Sequence, residues 1–172
     1  MANVLPHPGE SFVVDNLPSK FKAWFPMKDD GVDLLLTCPK KRKGNPIMVQ
    51  VKWSRDYGPG SGIPKSWYTL KKDKIRNSKA DVWIFVIMGC GKTGRRFEPN
   101  FVIIPIGELR NRMPRRGGGI WHLYLHIFLR RYCYNTRGLK DRDYELAESG
   151  KLRGERNFSQ FLENWDILTA GG

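Results

Sequence analysis

The first hydrophobic pattern in the chain has helical spacing and lies between two prolines. Pro8 suits a first helical turn and Pro18 ends the run, so the pattern predicts a helix over residues 8–17. The apolar residues with this spacing are Phe12, Val13 and Leu17. Short apolar segments separated by proline, glycine and polar turns follow, and they predict three strands. These strands cover residues 21–25, 32–37 and 46–53.

The middle of the chain combines a basic segment with a strongly apolar one. Residues 67–79 carry Trp67, Leu70 and Ile75 at sparse helical spacing, which predicts a basic helix that covers a sheet along one narrow stripe. Residues 82–88 form a continuous β-branched run, typical of a strand buried on both faces. The C-terminal pattern is weaker. It predicts a strand at 101–105, a short helix at 106–113, a strand at 121–129, irregular structure over 130–156 and a helix at 158–168.

The order of these elements indicates the class of fold. A helix, three strands, a helix and a further strand follow one another, which predicts an α/β fold with a mixed central sheet flanked by helices. A chain of 172 residues is most often a single domain. We therefore expect one domain over residues 1–172, with a core of about 8–105 and a C-terminal extension of about 106–172.

The charge of the chain narrows the choice of partner. Thirty lysines and arginines against 17 aspartates and glutamates give a formal net charge of +13, which favours a polyanion, and DNA in particular. An anionic membrane is the alternative, but the sequence shows no basic amphipathic helix and no apolar run of membrane-spanning length, so we expect no membrane contact. The three cysteines form no CxxC pair, which indicates reduced thiols, a cytoplasmic location and no structural zinc.

Asp33, Gln50 and Lys52 are the most informative polar residues in this pattern. Gln50 and Lys52 are two positions apart on a predicted strand, so their side chains share a face and Val51 points the other way. Asp33 lies nine residues before Arg42, near the centre of the turn, whereas Gln50 lies eight and Lys52 ten residues after it. Pairing of the two strands therefore brings Asp33 opposite this triplet.

An acid, an amide and an amine at one place can hold a hard cation beside a phosphate. Asp33 supplies a carboxylate, and the Gln50 side-chain oxygen or the Val51 carbonyl supplies a neutral ligand for Mg²⁺, which Mn²⁺ can replace. Lys52 can orient or deprotonate an attacking water, or stabilise charge on the reacting phosphate. The metal polarises the phosphate and lowers the pKa of its bound water.

These residues resemble the motif of a known nuclease family. Gly31-Val32-Asp33-Leu34, followed by a strand with Gln50-Val51-Lys52, is similar to the PD-(D/E)XK superfamily, which has the restriction-endonuclease-like fold. Glutamine in place of the second acid resembles the Mrr-type restriction endonucleases. The predicted α-β-β-β-α-β order over about residues 8–88 is similar to the core of that family.

The resemblance also implies a role for each matching residue. Asp33 corresponds to the metal-binding acid, Gln50 to the second acidic position and Lys52 to the catalytic lysine. The segment Gly9-Glu10-Ser11-Phe12-Val13 resembles the helix that carries an extra catalytic glutamate in members similar to Holliday-junction resolvases, which makes Glu10 a candidate catalytic residue and metal ligand. Because Gln50 is uncharged, the affinity for a metal depends on Glu10.

Basic residues outside the motif are candidates for contacts with DNA phosphates. Each pair or run of charges is ordinarily a solvated face, but several of them in one small domain favour a surface that follows a phosphate backbone. The candidates are Lys40, Lys41, Arg42, Lys43, Arg55, Lys65, Arg95, Arg96, Arg115 and Arg116.

Each candidate also has a structural alternative. Asp33 can cap the turn after Gly31, Lys52 can be a solvated strand end, and Glu10 is an ordinary acid in a first helical turn. Residues 89–94 resemble a phosphate-binding loop but lack its first glycine, which favours a basic turn. Two histidines at i and i+4 on one strand are too far apart for easy joint ligation, so His122 and His126 are expected to be core or surface residues.

Two hypotheses about function follow from the sequence. The first is a Mg²⁺-dependent DNA endonuclease that hydrolyses phosphodiester bonds, with a homodimer or a partner subunit expected where two strands are cut. The second is a DNA-binding module that keeps this fold without efficient catalysis, which the uncharged Gln50 favours. A basic RNA-associated protein without a metal site is a third alternative.

Overall fold

The computed structural model of the chain describes residues 7–28, 30–38, 45–54, 63–90 and 97–170. Its helices are α1 (Pro8–Asn16), α2 (Lys72–Arg76), α3 (Ile106–Arg112), α4 (Asp141–Glu148) and α5 (Ile167–Ala170). Its strands are β1 (Lys22–Trp24), β2 (Leu34–Thr37), β3 (Ile47–Ser54), β4 (Lys65–Lys71), β5 (Val82–Cys90), β6 (Phe97–Pro105), β7 (Ile120–Phe128) and β8 (Tyr132–Asn135). The predicted helix at 8–17 and the strands at 21–25, 32–37, 46–53, 82–88, 101–105 and 121–129 correspond to elements of the structure with shifted ends.

Five strands form a mixed central sheet in the order β1-β2-β3-β5-β6. Strands β1, β2 and β3 are successively antiparallel, β3 and β5 are parallel, and β5 and β6 are antiparallel. Helices α1 and α5 contribute Val13 and Leu168 to the apolar core on one face of this sheet. The predicted α/β fold with a mixed central sheet flanked by helices is confirmed.

The two faces of β3 differ in chemistry. Val49 and Val51 join the core beneath α1. Gln50 is in register with Trp83 and Lys52 with Phe85 on the neighbouring strand β5, so the polar pair points to the opposite face. Trp83 and Phe85 belong to the second apolar core, which forms between the central sheet and a smaller sheet. Polar and apolar residues of one strand are thereby sorted to the two sides.

The smaller sheet has the order β4-β7-β8 and corrects one prediction. Residues 67–79 were predicted to be a helix, but β4 occupies 65–71 and only the short α2 follows. The residues of β4 alternate between buried and exposed, which is the period of a strand. This period was overlooked because Trp67, Leu70 and Ile75 also fit helical spacing. The buried residues are Ser66, Tyr68 and Leu70.

The region after β7 corrects the predictions for 130–156 and 158–168. Residues 130–156 are not wholly irregular, since they contain β8, which is only four residues long, and α4, which carries few apolar residues. The predicted helix at 158–168 is wrong and is replaced by a 3-10 turn (Ser159–Phe161) and the short α5. Between them Leu162 forms an isolated bridge with Val102, and Glu163 has a φ of 53°, so the backbone follows β6 and cannot remain helical.

Strand β4 joins the predicted core and the predicted C-terminal extension into one structure. It lies inside the segment predicted as the core, 8–105, yet it pairs with β7 from the predicted extension, 106–172. Residues of both parts pack into one apolar cluster, among them Tyr68, Phe85 and Leu123. In the chain order, β4 is also inserted between β3 and α2, which adds one strand to the predicted α-β-β-β-α-β succession.

Candidate active site

Asp33 lies immediately before β2, at the point where its pairing with β3 ends. Its backbone N–H donates to the carbonyl of Val49 over 2.8 Å. Its Oδ2 accepts a hydrogen bond from the backbone N–H of Val51 over 2.6 Å and another from Nε2 of Gln50. The geometric expectation that Asp33 lies opposite Gln50 and Val51 is confirmed by these contacts.

Lys52 shares a cleft with this pair. The cleft has a volume of about 670 Å³ and lies on the face of the central sheet that also packs against the smaller sheet. Its lining includes Asp33, Gln50 and Lys52 together with Thr69 and Lys71 of β4. The ammonium of Lys52 lies 5.5 Å from the ring centre of Trp83, a cation–π contact that positions it along the floor of the cleft.

The cleft mixes both signs of charge. Four lysines line it, at positions 52, 71, 74 and 79, against three aspartates, at 30, 33 and 73. Asp30 is already paired with Lys79, since Oδ2 of the aspartate contacts Nζ of the lysine. Apart from this pair, the lining carries three lysines and two aspartates, a small excess of positive charge that favours phosphate groups.

Glu10 has a different position from the other three candidates. Its Oε2 accepts a hydrogen bond from the backbone N–H of His7 over 3.1 Å, as part of a capping box at the start of α1. Helix α1 packs on the other face of β3, where a Cβ added to Gly9 would lie 2.6 Å from Cβ of Trp53. The glycine permits this close approach, and Glu10 is not among the residues that line the cleft.

The donor set near Asp33 fits a hard cation with few protein ligands. Mg²⁺ commonly uses one or two carboxylates and completes its shell with water and substrate phosphate. In an extended strand the N–H and C=O of one residue point the same way, so the Val51 carbonyl faces the side on which Asp33 contacts the Val51 N–H. Coordination by Gln50 requires its amide to turn over, because its nitrogen faces Asp33. Among the described residues, no group of three or more His, Cys, Asp or Glu side chains could hold a metal.

Only part of the predicted phosphate-binding set lies within the described residues. Lys65 is half-buried on β4, and Arg115 and Arg116 are exposed in the loop after α3. That loop is fixed by Lys72, which is 2% exposed and donates from Nζ to the carbonyls of Pro114 and Arg116 over 2.8 Å each. The other candidates, Lys40, Lys41, Arg42, Lys43, Arg55, Arg95 and Arg96, lie outside the described residues, as does most of the phosphate-loop segment 89–94.

The sequence missed the far wall of the cleft and the anchor of the loop that carries Arg115 and Arg116, here called the arginine loop. Thr69, Lys71 and Lys72 were placed together on one basic helix, which gives no reason for Lys72 to point inward. The alternation of polar and apolar residues from Lys65 to Lys71 is the signal that could have placed them on a strand.

The two histidines of β7 have separate surroundings, as expected from their spacing. Nδ1 of His122 accepts a hydrogen bond from Nε1 of Trp67 over 3.3 Å. Nδ1 of His126 lies 3.4 Å from the hydroxyl of Tyr144. Burial, with a smaller effect of the Lys65 charge, lowers the pKa of His126 to about 4, so this imidazole is neutral near pH 7.

No family model matches this chain, and no curated protein matches it. None of the helices in the described parts of the chain is long and apolar enough to cross a membrane.

Proposed function

We propose that this chain is a divalent-metal-dependent endonuclease that hydrolyses phosphodiester bonds in DNA. The observation that supports it is the meeting of Asp33, Gln50 and Lys52 at one cleft, with Asp33 oriented by two N–H donors. The net charge of +13 suits a phosphate polymer. The chain order α1-β1-β2-β3-α2-β5 around the site, apart from the inserted β4, matches the succession that the resemblance to PD-(D/E)XK nucleases implies.

The residues of the cleft would divide the chemistry between them. Asp33, with the Val51 carbonyl, would hold Mg²⁺ or Mn²⁺, and this ion would polarise the scissile phosphate and acidify a bound water. Lys52 would orient the attacking water and stabilise the negative charge that develops on the phosphate. Its contact with Trp83 holds the ammonium group in the cleft, where it can take this electrostatic role.

Cleavage of plasmid and branched DNA with Mg²⁺ or Mn²⁺ tests the proposal. We expect Asp33→Ala and Lys52→Ala each to lower the cleavage rate by about 100-fold or more, the usual contribution of a positioned catalytic group. Asp15→Ala and Lys22→Ala remove the same charges at exposed sites in α1 and β1 and should cut normally. Parental rates in both cleft variants would refute the site. If nicked plasmid appears before linear plasmid, one active centre cuts one strand at a time. If both strands are cut together, a second copy or a partner subunit supplies a second active centre.

One observation favours a second candidate, a DNA-binding module without efficient catalysis. Oδ2 of Asp33 already accepts two hydrogen bonds, and Glu10 caps a helix on the other face of the sheet. A metal would therefore rely on a single carboxylate and neutral oxygens. Tight, salt-sensitive DNA binding with no metal-dependent product would favour this candidate over the endonuclease.

A further inference from the structure

The outward face of the smaller sheet carries aromatic and basic side chains that the proposed active site leaves unused. Four outward residues of β4 are paired with four of β7. The pairs are Lys65 with His126, Trp67 with Tyr124, Thr69 with His122 and Lys71 with Ile120. The opposite face of these strands supplies the apolar core. On the outward face α4 covers the end at His126, which Tyr144 contacts, so the part around Trp67 and Thr69 is the one available to a ligand.

The rings on this face form an ordered stack. Trp67 and Tyr124 lie with ring centres 5.3 Å apart and planes at 14°, a stacked cross-strand pair. Nε1 of Trp67 donates to Nδ1 of His122, and the guanidinium of Arg137 lies 5.9 Å from the ring centre of Tyr124. Trp67 nevertheless remains 40% exposed. The indole is held in one orientation by its neighbours while part of its surface faces solvent.

The paired positions of this face carry positive charge only, whereas the acidic helix α4 packs at the end beside His126. The eight paired positions include Lys65 and Lys71 and no acid. Arg137 adds a third cation beside Tyr124. A ligand with flat rings and a negative backbone is complementary to such a surface, whereas an apolar protein segment would leave the three cations without counter-charges.

The same face continues into the candidate active site. Thr69 and Lys71 belong both to the outward side of β4 and to the lining of the cleft that contains Asp33. Oγ of Ser54, at the end of β3, donates to the Trp67 carbonyl over 2.9 Å and ties the two strands together. A strand lying along β4 would therefore reach the cleft without crossing another element.

We propose that this face is a stacking platform, formed by Trp67, Tyr124 and His122 with Lys65, Lys71 and Arg137, that binds single-stranded DNA. The faces of bases are accessible to an aromatic side chain only where the strand is unpaired. The lysines and Arg137 contact the phosphates of that strand. The inference that this strand is led to the cleft for cleavage rests on the proposed nuclease function, whereas the inference that the face binds the strand does not. The substrate class would then be DNA with an unpaired segment.

Fluorescence anisotropy in EDTA, with labelled oligothymidylate of about 15 nucleotides and a duplex of equal length, tests the platform without catalysis. We expect Trp67→Ala to weaken binding of the single strand by roughly 5- to 100-fold, the usual loss for one stacked base, and binding of the duplex by less than about twofold. Trp67→Phe should retain most of the affinity. Trp24→Ala is the matched control, because this tryptophan is 56% exposed on β1 of the other sheet, and it should bind like the parent.

A second variant distinguishes the loss of stacking from misfolding of Trp67→Ala. Tyr124→Leu keeps an apolar side chain beside Trp67 and removes the ring, and it should also weaken single-strand binding while circular dichroism stays unchanged. Equal loss in Trp67→Ala and Trp24→Ala would overturn the platform. So would a preference for duplex, tighter binding of oligouridylate than of oligothymidylate, or self-association in sedimentation that Trp67→Ala abolishes.

The platform and the nuclease can fail separately. If Asp33→Ala binds the single strand normally but neither it nor the parent cuts, the nuclease proposal fails and the platform is supported. If the parent cuts DNA and Trp67→Ala binds oligothymidylate like the parent, the platform is wrong and the nuclease is unaffected.

Discussion

Asp33 has a structural role beside any role in catalysis. Its backbone N–H reaches Val49 and its carboxylate reaches Val51 and Gln50, so one residue completes the pairing of β2 with β3 where the ladder ends. A carboxylate held by two N–H donors is oriented before a ligand arrives. Loss of activity in Asp33→Ala therefore needs a check of folding, and Gln50 offers a cleaner probe of the same place.

Gln50→Glu is expected to strengthen the response of the protein to Mg²⁺. The change replaces the amide donor of Gln50 with a second carboxylate beside Asp33, and two like charges at one place repel each other without a cation. Without metal the variant should melt several degrees below the parent, consistent with about 1.5–3 kcal/mol for a lost charged hydrogen bond. Added Mg²⁺ should raise its melting temperature more than that of the parent.

Thermal melting with and without Mg²⁺ at neutral pH measures this difference. Gln160→Glu adds the same charge at an exposed position away from the cleft and should leave the Mg²⁺ response unchanged. A weaker Mg²⁺ response in Gln50→Glu than in the parent would show that Gln50 is not near a metal site.

His126 gives a prediction about pH. Its pKa is about 4 in the folded protein against 6.5 for an ordinary histidine, because burial and then Lys65 disfavour the charged form. Between these values the unfolded chain binds more protons, so His126 is expected to lower stability as pH falls from about 6.5 to 4. Burial raises the pKa of Glu163, which acts in the opposite sense, so the parent profile alone does not isolate the histidine.

The comparison of His126→Gln with the parent isolates this contribution. Urea unfolding across that pH range should show a smaller loss of stability toward low pH in the variant. His122→Gln removes the other outward imidazole of the same strand and controls for the change of side chain. An identical pH dependence in the parent and His126→Gln would contradict the expected titration.

The junction of β4 and α2 connects the cleft to the arginine loop. Lys71 ends the strand and lines the cleft, and Lys72 begins the helix and turns inward. The backbone N–H of Lys72 donates to the carbonyl of Gly119, while its Nζ reaches the carbonyls of Pro114 and Arg116. Adjacent residues therefore face the cleft and hold the loop that carries Arg115 and Arg116.

Lys72→Met is expected to loosen that loop. The change keeps most of the apolar stem but leaves the Pro114 and Arg116 carbonyls without their donor, a loss of about 1–3 kcal/mol in the free energy of unfolding. Hydrogen exchange over residues 114–119 should become faster and DNA binding weaker. Lys74→Met, on the exposed side of the same helix, should leave exchange in the loop unchanged. Unchanged exchange in Lys72→Met would remove the role assigned to this lysine.

Elements with a strong local signal were predictable from the sequence, and elements defined by distant partners were not. The run at 82–88 is a strand buried on both faces because nearly all its residues are apolar. Strand β4 was mistaken for a helix because its partner β7 begins about 50 residues later, at Ile120, and the alternation of 65–71 has a clear meaning only beside that partner. Helix α4 carries few apolar residues because it covers only a small cluster around Tyr134.

The candidate site likewise contains residues that are close in sequence, which could be predicted, and residues from distant strands, which could not. Asp33 and Gln50 could be placed together because they belong to two consecutive antiparallel strands, whose register could be estimated from their separation in sequence. The other wall of the cleft, with Thr69 and Lys71, depends on β4, which pairs with β7, far later in the chain. The stacking platform also requires two strands far apart in sequence. Its residues were visible in the chain, but their proximity was not.

The whole molecule combines a +13 charge with a cleft, an anchored arginine loop and a basic sheet face, so binding to DNA should depend steeply on salt. Arg116→Gln removes one exposed charge from that loop while keeping the backbone carbonyl that Lys72 contacts. For duplexes of any sequence we expect weaker binding, and a slope of log affinity against log salt smaller in magnitude by about one.

Lys22→Gln removes one exposed charge from β1 and should leave the slope unchanged, since screening confines exposed charges to about 10 Å at ordinary salt. Anisotropy titrations at several salt concentrations measure both slopes. Equal slopes in Arg116→Gln and Lys22→Gln would mean that DNA responds to total charge and not to the arginine loop.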